Sequence, residues 1–292
     1  MLGSSGPETE VLQGLQFIDC ASEEIAPLIH TVRERADELL LVLLGFDGVL
    51  AEYEGDPAAV HLSPARRELL RRLMSLPGVA LGVVSGRRLH DLRPRVGLGG
   101  DVFYIALHGL EVVGPGFTRI EHAAFEQYPE RLRDIIAEIM PLISQIKGAH
   151  LEDKEAALAL HTREASGTDA VWARLRLLSR AAEIADPRAF RVLRGNHVFE
   201  LLPNVGAARA AAVAAVRDLL ERREGRSVFA LYVGEDVAED DAYEAIAGHG
   251  ITAVVGRRAA RADHHLESIE MVEQLLVQLA AARDPGETDH RS

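Results

Sequence analysis

Cysteine is almost absent from this chain. Cys20 is its single cysteine in 292 residues. That excludes an intramolecular disulfide framework and fits a reducing compartment, so a cytoplasmic location is expected. Aromatic residues are scarce at 5% against 48% hydrophobic residues in all, so the core must be aliphatic, built from Leu, Val and Ala. Positive charge is in deficit, with 32 Lys and Arg against 45 Asp and Glu, a net charge of -13. A phosphate backbone calls for a basic patch, so nucleic acid is not an expected partner. No apolar run exceeds the length of one strand, which excludes a helical span and argues against membrane insertion. No basic stretch followed by a long apolar run opens the chain, so no secretory leader is expected.

What is present has the rhythm of an α/β protein. Ile25, Leu28, Ile29 and Val32 recur at helical spacing. "LLLVLLGF" at 39–46 is the continuous apolar run of a strand buried on both faces. "SPARRELLRRLMSLPG" carries its own punctuation, with Ser63 as cap, Pro64 in the first turn and Pro77-Gly78 as stop. Strands "VALGVV" and "VFYIAL" follow, with a short helix between them, which predicts a parallel sheet. After about residue 111 the pattern changes. "EVVGPGFTRI" and "FRVLRGNHVFELL" read as hairpins, the second turning at Gly195-Asn196. Two helices, at 129–145 and 168–184, and the strand pair in "AHLEDKEAALALHTR" complete a small α+β unit. The α/β rhythm returns from about 206 to the end. The expected architecture is a Rossmann-like parallel-sheet core, 38–114 and 203–281, with an inserted α+β cap at 115–202. A helical leader at 1–37 and a flexible tail at 282–292 flank it.

Three polar loops follow strands: "GFDGVL", "SGR" and "GEDVAEDD". Ligands of open parallel sheets bind at the carboxyl ends of strands. Acidic loops gathered there suit Mg²⁺ and a phosphate, since Mg²⁺ prefers hard oxygen ligands. Taken singly, each loop is equally well a solvated acidic turn.

Together with further motifs, these loops resemble the trehalose-6-phosphate phosphatase family of the haloacid dehalogenase superfamily. The motifs are "GFDGVL", Ser85-Gly86-Arg87, His108-Gly109, Glu152 with Lys154, His161 with Arg163, "ELLP" from Glu200, and "GEDVAEDDAY". The resemblance runs from about residue 39 to 281. It implies covalent phosphoryl transfer to the first aspartate of Asp-x-Asp-Gly, acid/base help from the second, and Mg²⁺ as cofactor. It places Asp47 at the acid/base position and Ser85, in Ser85-Gly86-Arg87, at the phosphate donor. Gly45 stands at the nucleophile position and has no side chain to attack with. Arg209 stands at the lysine position, with a fork in place of an ammonium. Glu235, Ala238 and Glu239 depart from the last motif, leaving Asp47, Glu235 and Asp236 as a magnesium site that is weak or absent. A register shift making Asp47 the nucleophile would put Val49 at the acid/base position, where it cannot transfer a proton.

Glu152 and Lys154, two apart on a strand, share a face. The resemblance assigns them, with Glu200, to sugar hydroxyls. Arg87 and His108 fall among the substrate-side candidates, His108 with a structural role as the alternative. His161 and Arg163 either brace the cap or meet the ligand. Three readings follow: a pseudophosphatase that holds trehalose-6-phosphate or a related sugar phosphate, an active trehalose-6-phosphate phosphatase, or a non-catalytic regulatory partner in trehalose metabolism.

Overall fold

The structure, a computed structural model, describes residues 23–53, 59–121, 129–184, 190–194, 197–235, 239–256 and 261–284. Asp236, Ala238, the Gly195-Asn196 turn, most of the leader and most of the tail lie outside the described residues. Strand β1 (Leu39–Gly45) is buried along its whole length. Its alternation explains why it can be apolar throughout. Leu40, Val42 and Leu44 enter one core, while Leu39, Leu41 and Leu43 enter the core on the other face.

Helix α1 (Ile25–Glu34) precedes β1 and buries Ile25, Leu28, Ile29 and Val32 in the first of these cores. It is therefore packed against the sheet domain, not held apart as a leader. Helix α2 (Pro64–Ser75) starts where Ser63 Oγ accepts the amide of Arg66, as its cap signature predicts. Next come β2 (Val79–Val84), α3 (Leu89–Val96), β3 (Val102–Ala106) and the antiparallel pair β4 (Glu111–Gly114) and β5 (Thr118–Glu121).

The four-stranded antiparallel sheet of the cap combines β6 (His150–Asp153), β7 (Leu158–His161), β8 (Phe190–Arg194) and β9 (Val198–Pro203), in the order β6-β7-β9-β8. Helices α4 (Pro129–Ile143) and α5 (Gly167–Ile184) share a separate apolar cluster with that sheet, in which Leu132, Ile135, Ile139 and Leu177 are buried. The chain then returns through α6 (Ala208–Glu224), β10 (Val228–Gly234), α7 (Asp240–Ile246), β11 (Gly250–Val255), β12 (His264–Leu266) and α8 (Ile269–Arg283).

The large sheet has eight strands in the order β12-β11-β10-β1-β2-β3-β4-β5. All pairings from β12 to β3 are parallel, and the β3–β4 and β4–β5 pairings are antiparallel. The architecture is an α/β core with an inserted α+β cap. Two boundaries move. The hairpin expected to open the cap at 115 stays in the large sheet, because Ile120 pairs with Val112 and Arg119 with Val113. The helix expected to end at 281 continues to Arg283, whose guanidinium donates to the carbonyls of Glu38, Ala36 and Arg35. The short edge strand His264–Leu266 has no counterpart in the sequence reading, since three residues carry too little periodicity. Among the described residues no helix is long and apolar enough to cross a membrane.

Candidate functional site

From β1 the chain steps to β2 and β3 on one side, and it reaches β10 and β11 on the other. The crevice where the order reverses is the place for a ligand in such sheets. Gly45 ends β1 there, paired with Val84, and Gly234 ends the neighbouring β10. Residues 46–51 fold into a tight turn: the amides of Leu50 and Ala51 both donate to the carbonyl of Phe46, and that of Gly48 to Ala51. Gly48 has φ +75°, and a Cβ on it would lie 2.8 Å from Cγ of Glu235. Glycine is needed for the turn and for the close approach of that carboxylate.

Asp47 emerges from this turn and meets Arg87. Nε of Arg87 lies 3.0 and 3.2 Å from the two carboxylate oxygens, and Nη2 lies 2.8 Å from Oδ1. Nη1 donates to Asp91 Oδ2 at 3.1 Å. Burial opposes the charge on Arg87, but the bonds and charges of Asp47 and Asp91 outweigh it and push its pKa up. Asp91 is itself held by Arg95 at 2.6 Å. The Ser85 hydroxyl is buried and accepts the amide of Arg87 at 3.1 Å.

Gly45 faces a filled space. A Cβ built there would lie 2.9 Å from Cγ2 and 3.4 Å from Cβ of Val49, which is fully buried. A side chain starting at position 45 would therefore press on Val49. Beside it, Glu235 Oε2 accepts from the hydroxyl of Tyr53 at 2.7 Å, and the guanidinium of Arg163 from the cap lies 5.0 Å above the Tyr53 ring. Glu239 accepts the amide of Glu235 at 2.8 Å and the hydroxyl of Tyr232 at 3.1 Å. Burial, then Glu239, raises the Tyr232 phenol well above its usual pKa.

Among the described residues the donor set does not fit Mg²⁺. The ion demands near-octahedral oxygen ligands. Both oxygens of Asp47 are taken by Arg87, Glu235 turns to Tyr53, and among the described residues no three His, Cys, Asp or Glu side chains gather as ligands.

The cap side of the crevice is a buried chain of charge. Lys154 Nζ donates to Glu200 Oε1 at 2.8 Å and to the carbonyl of Gly86 at 3.0 Å. Glu200 Oε2 meets His108 Nε2, and Nη2 of Arg209 lies 2.6 Å from His108 Nδ1. A guanidinium only donates, so Nδ1 accepts and the neutral imidazole carries its proton on Nε2, aimed at Glu200. Burial lowers the pKa of His108 and prevails over the pull of Glu200. For Glu200 burial works the other way, yet His108 and Lys154 hold its carboxyl well below the usual range. Lys154 is raised, since Glu200 and Glu152 outweigh its burial.

Glu152 is half-exposed and bonded to His161 Nε2 at 2.7 Å. His161 therefore braces Glu152, and Arg163 stacks on the core residue Tyr53. Lys154 lies one residue past the end of its strand and is buried, so it and Glu152 differ in environment. Arg88 adds another tie between core and cap, bonding Glu111 and, across the seam, Glu155.

His108 and Arg209 both turn inward. His108 has both ring nitrogens engaged within the protein and presents neither to a ligand. It sits at φ +56°, after Leu107 at φ +45°, a left-handed pair that costs on the order of 1 kcal/mol per residue and aims the ring into the seam. Arg209, expected to fork onto phosphate, is buried in the first turn of α6 and points to His108, with Glu239 at 3.9 Å. The sequence does not mark Tyr53 as a site residue, and it marks Val49 only through the register of its motif. A tyrosine two residues after "GVLA" is the one signal available for the first, and Val49 is conspicuous only once its contact with position 45 is seen.

A sequence model of the trehalose-phosphatase family matches residues 43–268, most of the chain and all of the loops described above. The chain belongs to the trehalose-phosphatase family. A trehalose-phosphate phosphatase of Mycobacterium tuberculosis is 31% identical over 245 residues, 82% of this chain and 61% of that protein. The chain thus spans about three-fifths of the length of such relatives. The C-terminal domain of Candida albicans trehalose-6-phosphate phosphatase superposes with a TM-score of 0.74 at 22% identity, covering 87% of this chain and 96% of that one. A phosphatase of the HAD superfamily from Bacteroides thetaiotaomicron does so with a TM-score of 0.51 at 15% identity, covering 84% and 96%. The family and the fold are those the motifs imply.

Proposed function

We propose that this member of the trehalose-phosphatase family binds trehalose-6-phosphate or a related sugar phosphate and does not hydrolyse it efficiently. One observation carries the reading. Position 45, where the motif resemblance puts the nucleophile, is glycine, and a Cβ there would lie 2.9 Å from Cγ2 of Val49. Losing a catalytic nucleophile costs about six orders of magnitude in turnover. Asp47 is consistent with the same reading, because the forked Arg87 guanidinium holds its carboxylate from one side. The binding half of the proposal draws on the cap. Lys154 and Glu200 adjoin the Ser85-Gly86-Arg87 loop, Lys154 through the Gly86 carbonyl, which supports a polyol site beside the phosphate donors. A cytoplasmic location belongs to this reading and is supported by the lone cysteine.

Phosphate release from trehalose-6-phosphate, with and without Mg²⁺, tests the first half. Background release is expected. Turnover at ordinary enzyme rates overturns the proposal in favour of an active trehalose-6-phosphate phosphatase, the activity named for the 31% identical relatives. Calorimetric titration with the same compound tests the second half, and absence of binding leaves a non-catalytic partner role.

A further inference from the structure

We propose that Arg87 takes the place of the divalent cation in this site, so that the phosphate of the bound sugar is held by a guanidinium and needs no metal. The inference rests on the sugar-phosphate reading above and names the group that meets the phosphate.

A cation in such a site has two tasks. It compensates the aspartate after the first strand, and it draws in the phosphate dianion. Arg87 performs the first directly, with Nε and Nη2 on both oxygens of Asp47 at 2.8 to 3.2 Å. Asp91, clamped by Arg95, fixes the guanidinium from the other side through Nη1. For the second task, its spare donors count. A guanidinium has five N–H groups. Asp47 and Asp91 engage three of them, and one on each of Nη1 and Nη2 has no partner among the described residues. The hydroxyl of Ser85, two residues earlier in the same loop, accepts from the Arg87 amide and keeps its own hydrogen to donate. Two guanidinium N–H groups and one hydroxyl on one loop make a donor set for phosphate oxygens, and charge-assisted bonds of this kind are the strong ones.

The two described residues of the expected metal site are turned to other partners. Asp47 faces Arg87, and Glu235 faces Tyr53, whose ring lies under Arg163. A metal entering beside Asp47 would have to displace a doubly bonded guanidinium and would meet its positive charge. Arg209, the other cation the motifs offer for phosphate, bonds His108 inside the seam. Arg87, unlike Arg209, stands beside Asp47.

Calorimetric titration of the full chain with trehalose-6-phosphate, in EDTA and in excess Mg²⁺, needs no variant. Equal affinity in both is expected. Binding only with Mg²⁺ overturns the inference and leaves the sugar-phosphate reading standing. Binding in neither overturns both. Arg87→Lys keeps a charge without the fork and is expected to weaken binding about tenfold. Arg87→Gln is expected to weaken it further and, by freeing Asp47, to admit Mn²⁺ where the wild type admits none, read by electron paramagnetic resonance. Stoichiometric Mn²⁺ on the wild type, or unchanged affinity in a folded Arg87→Gln variant, overturns the assignment.

Discussion

Alanine at position 45 tests whether Val49 has closed the nucleophile's place. The new methyl group would start 2.9 Å from Cγ2 of Val49, inside the range that real side chains avoid, with the carbonyl of Val233 at 3.6 Å on another side. Val49 is β-branched and buried, so it cannot swing away without leaving its rotamer. Such overpacking costs roughly 1–3 kcal/mol. Replacing glycine in an extended strand returns about 0.4–1 kcal/mol through the unfolded chain. Gly45→Ala should therefore lose about 1–2 kcal/mol net, a fall in Tm of about 2–8 °C at roughly 2–4 °C per kcal/mol. Val49→Ala alone gives up two buried methyl equivalents, about 1.5–2 kcal/mol at the usual transfer value. In the double variant the clash is gone, so the two losses should not add. A coupling of roughly 1–2 kcal/mol in favour of the double variant is expected from urea unfolding of the four proteins. Additivity within about 0.5 kcal/mol, or a Gly45→Ala protein more stable than wild type, refutes the reasoning. The same contact governs repair of the active site: Gly45→Asp alone should stay near background in phosphate release, and adding Val49→Ala should raise turnover above it.

Lys154 and Glu200 are buried partners, so Glu200→Gln, which leaves the ammonium without its counter-charge, should cost roughly 3–5 kcal/mol in thermal or urea unfolding. His108 gives a pH signature. Its folded pKa lies below the ordinary value near 6.5, so the unfolded chain takes the proton first as pH falls. Its contribution is complete above about pH 6.5 and is lost below, at no more than about 1.4 kcal/mol per pH unit, and His108→Gln should remove that part of the slope in unfolding midpoints measured across pH 5–8. Gly109 has φ +93°, and a Cβ on it would lie 2.5 Å from the carbonyl of Ala208, so Gly109→Ala should destabilise by more than about 2 kcal/mol and lower the Tm accordingly.

Much of this protein is legible in its sequence, for local reasons. The eight-residue apolar run at 39–46 can only be a strand with two buried faces, and the chain supplies alternate leucines to each. Ser63-Pro64 and Pro77-Gly78 bound a helix through backbone chemistry that acts within one turn. The ordered motifs carry the family, because loops after parallel strands must meet at one crevice whatever lies between them. Even the glycine at position 45, where the motif resemblance puts the nucleophile, is visible there. Tertiary contact alone decides the rest. That Val49 fills the gap, that Arg87 and not Arg209 stands at Asp47, that Tyr53 takes Glu235, and that His108 is shared between Glu200 and Arg209 all depend on partners 4 to 182 residues away. A residue type states which bonds a side chain can make. Only packing states which partner arrives first, because a buried donor or acceptor must be satisfied by whatever the fold brings within reach.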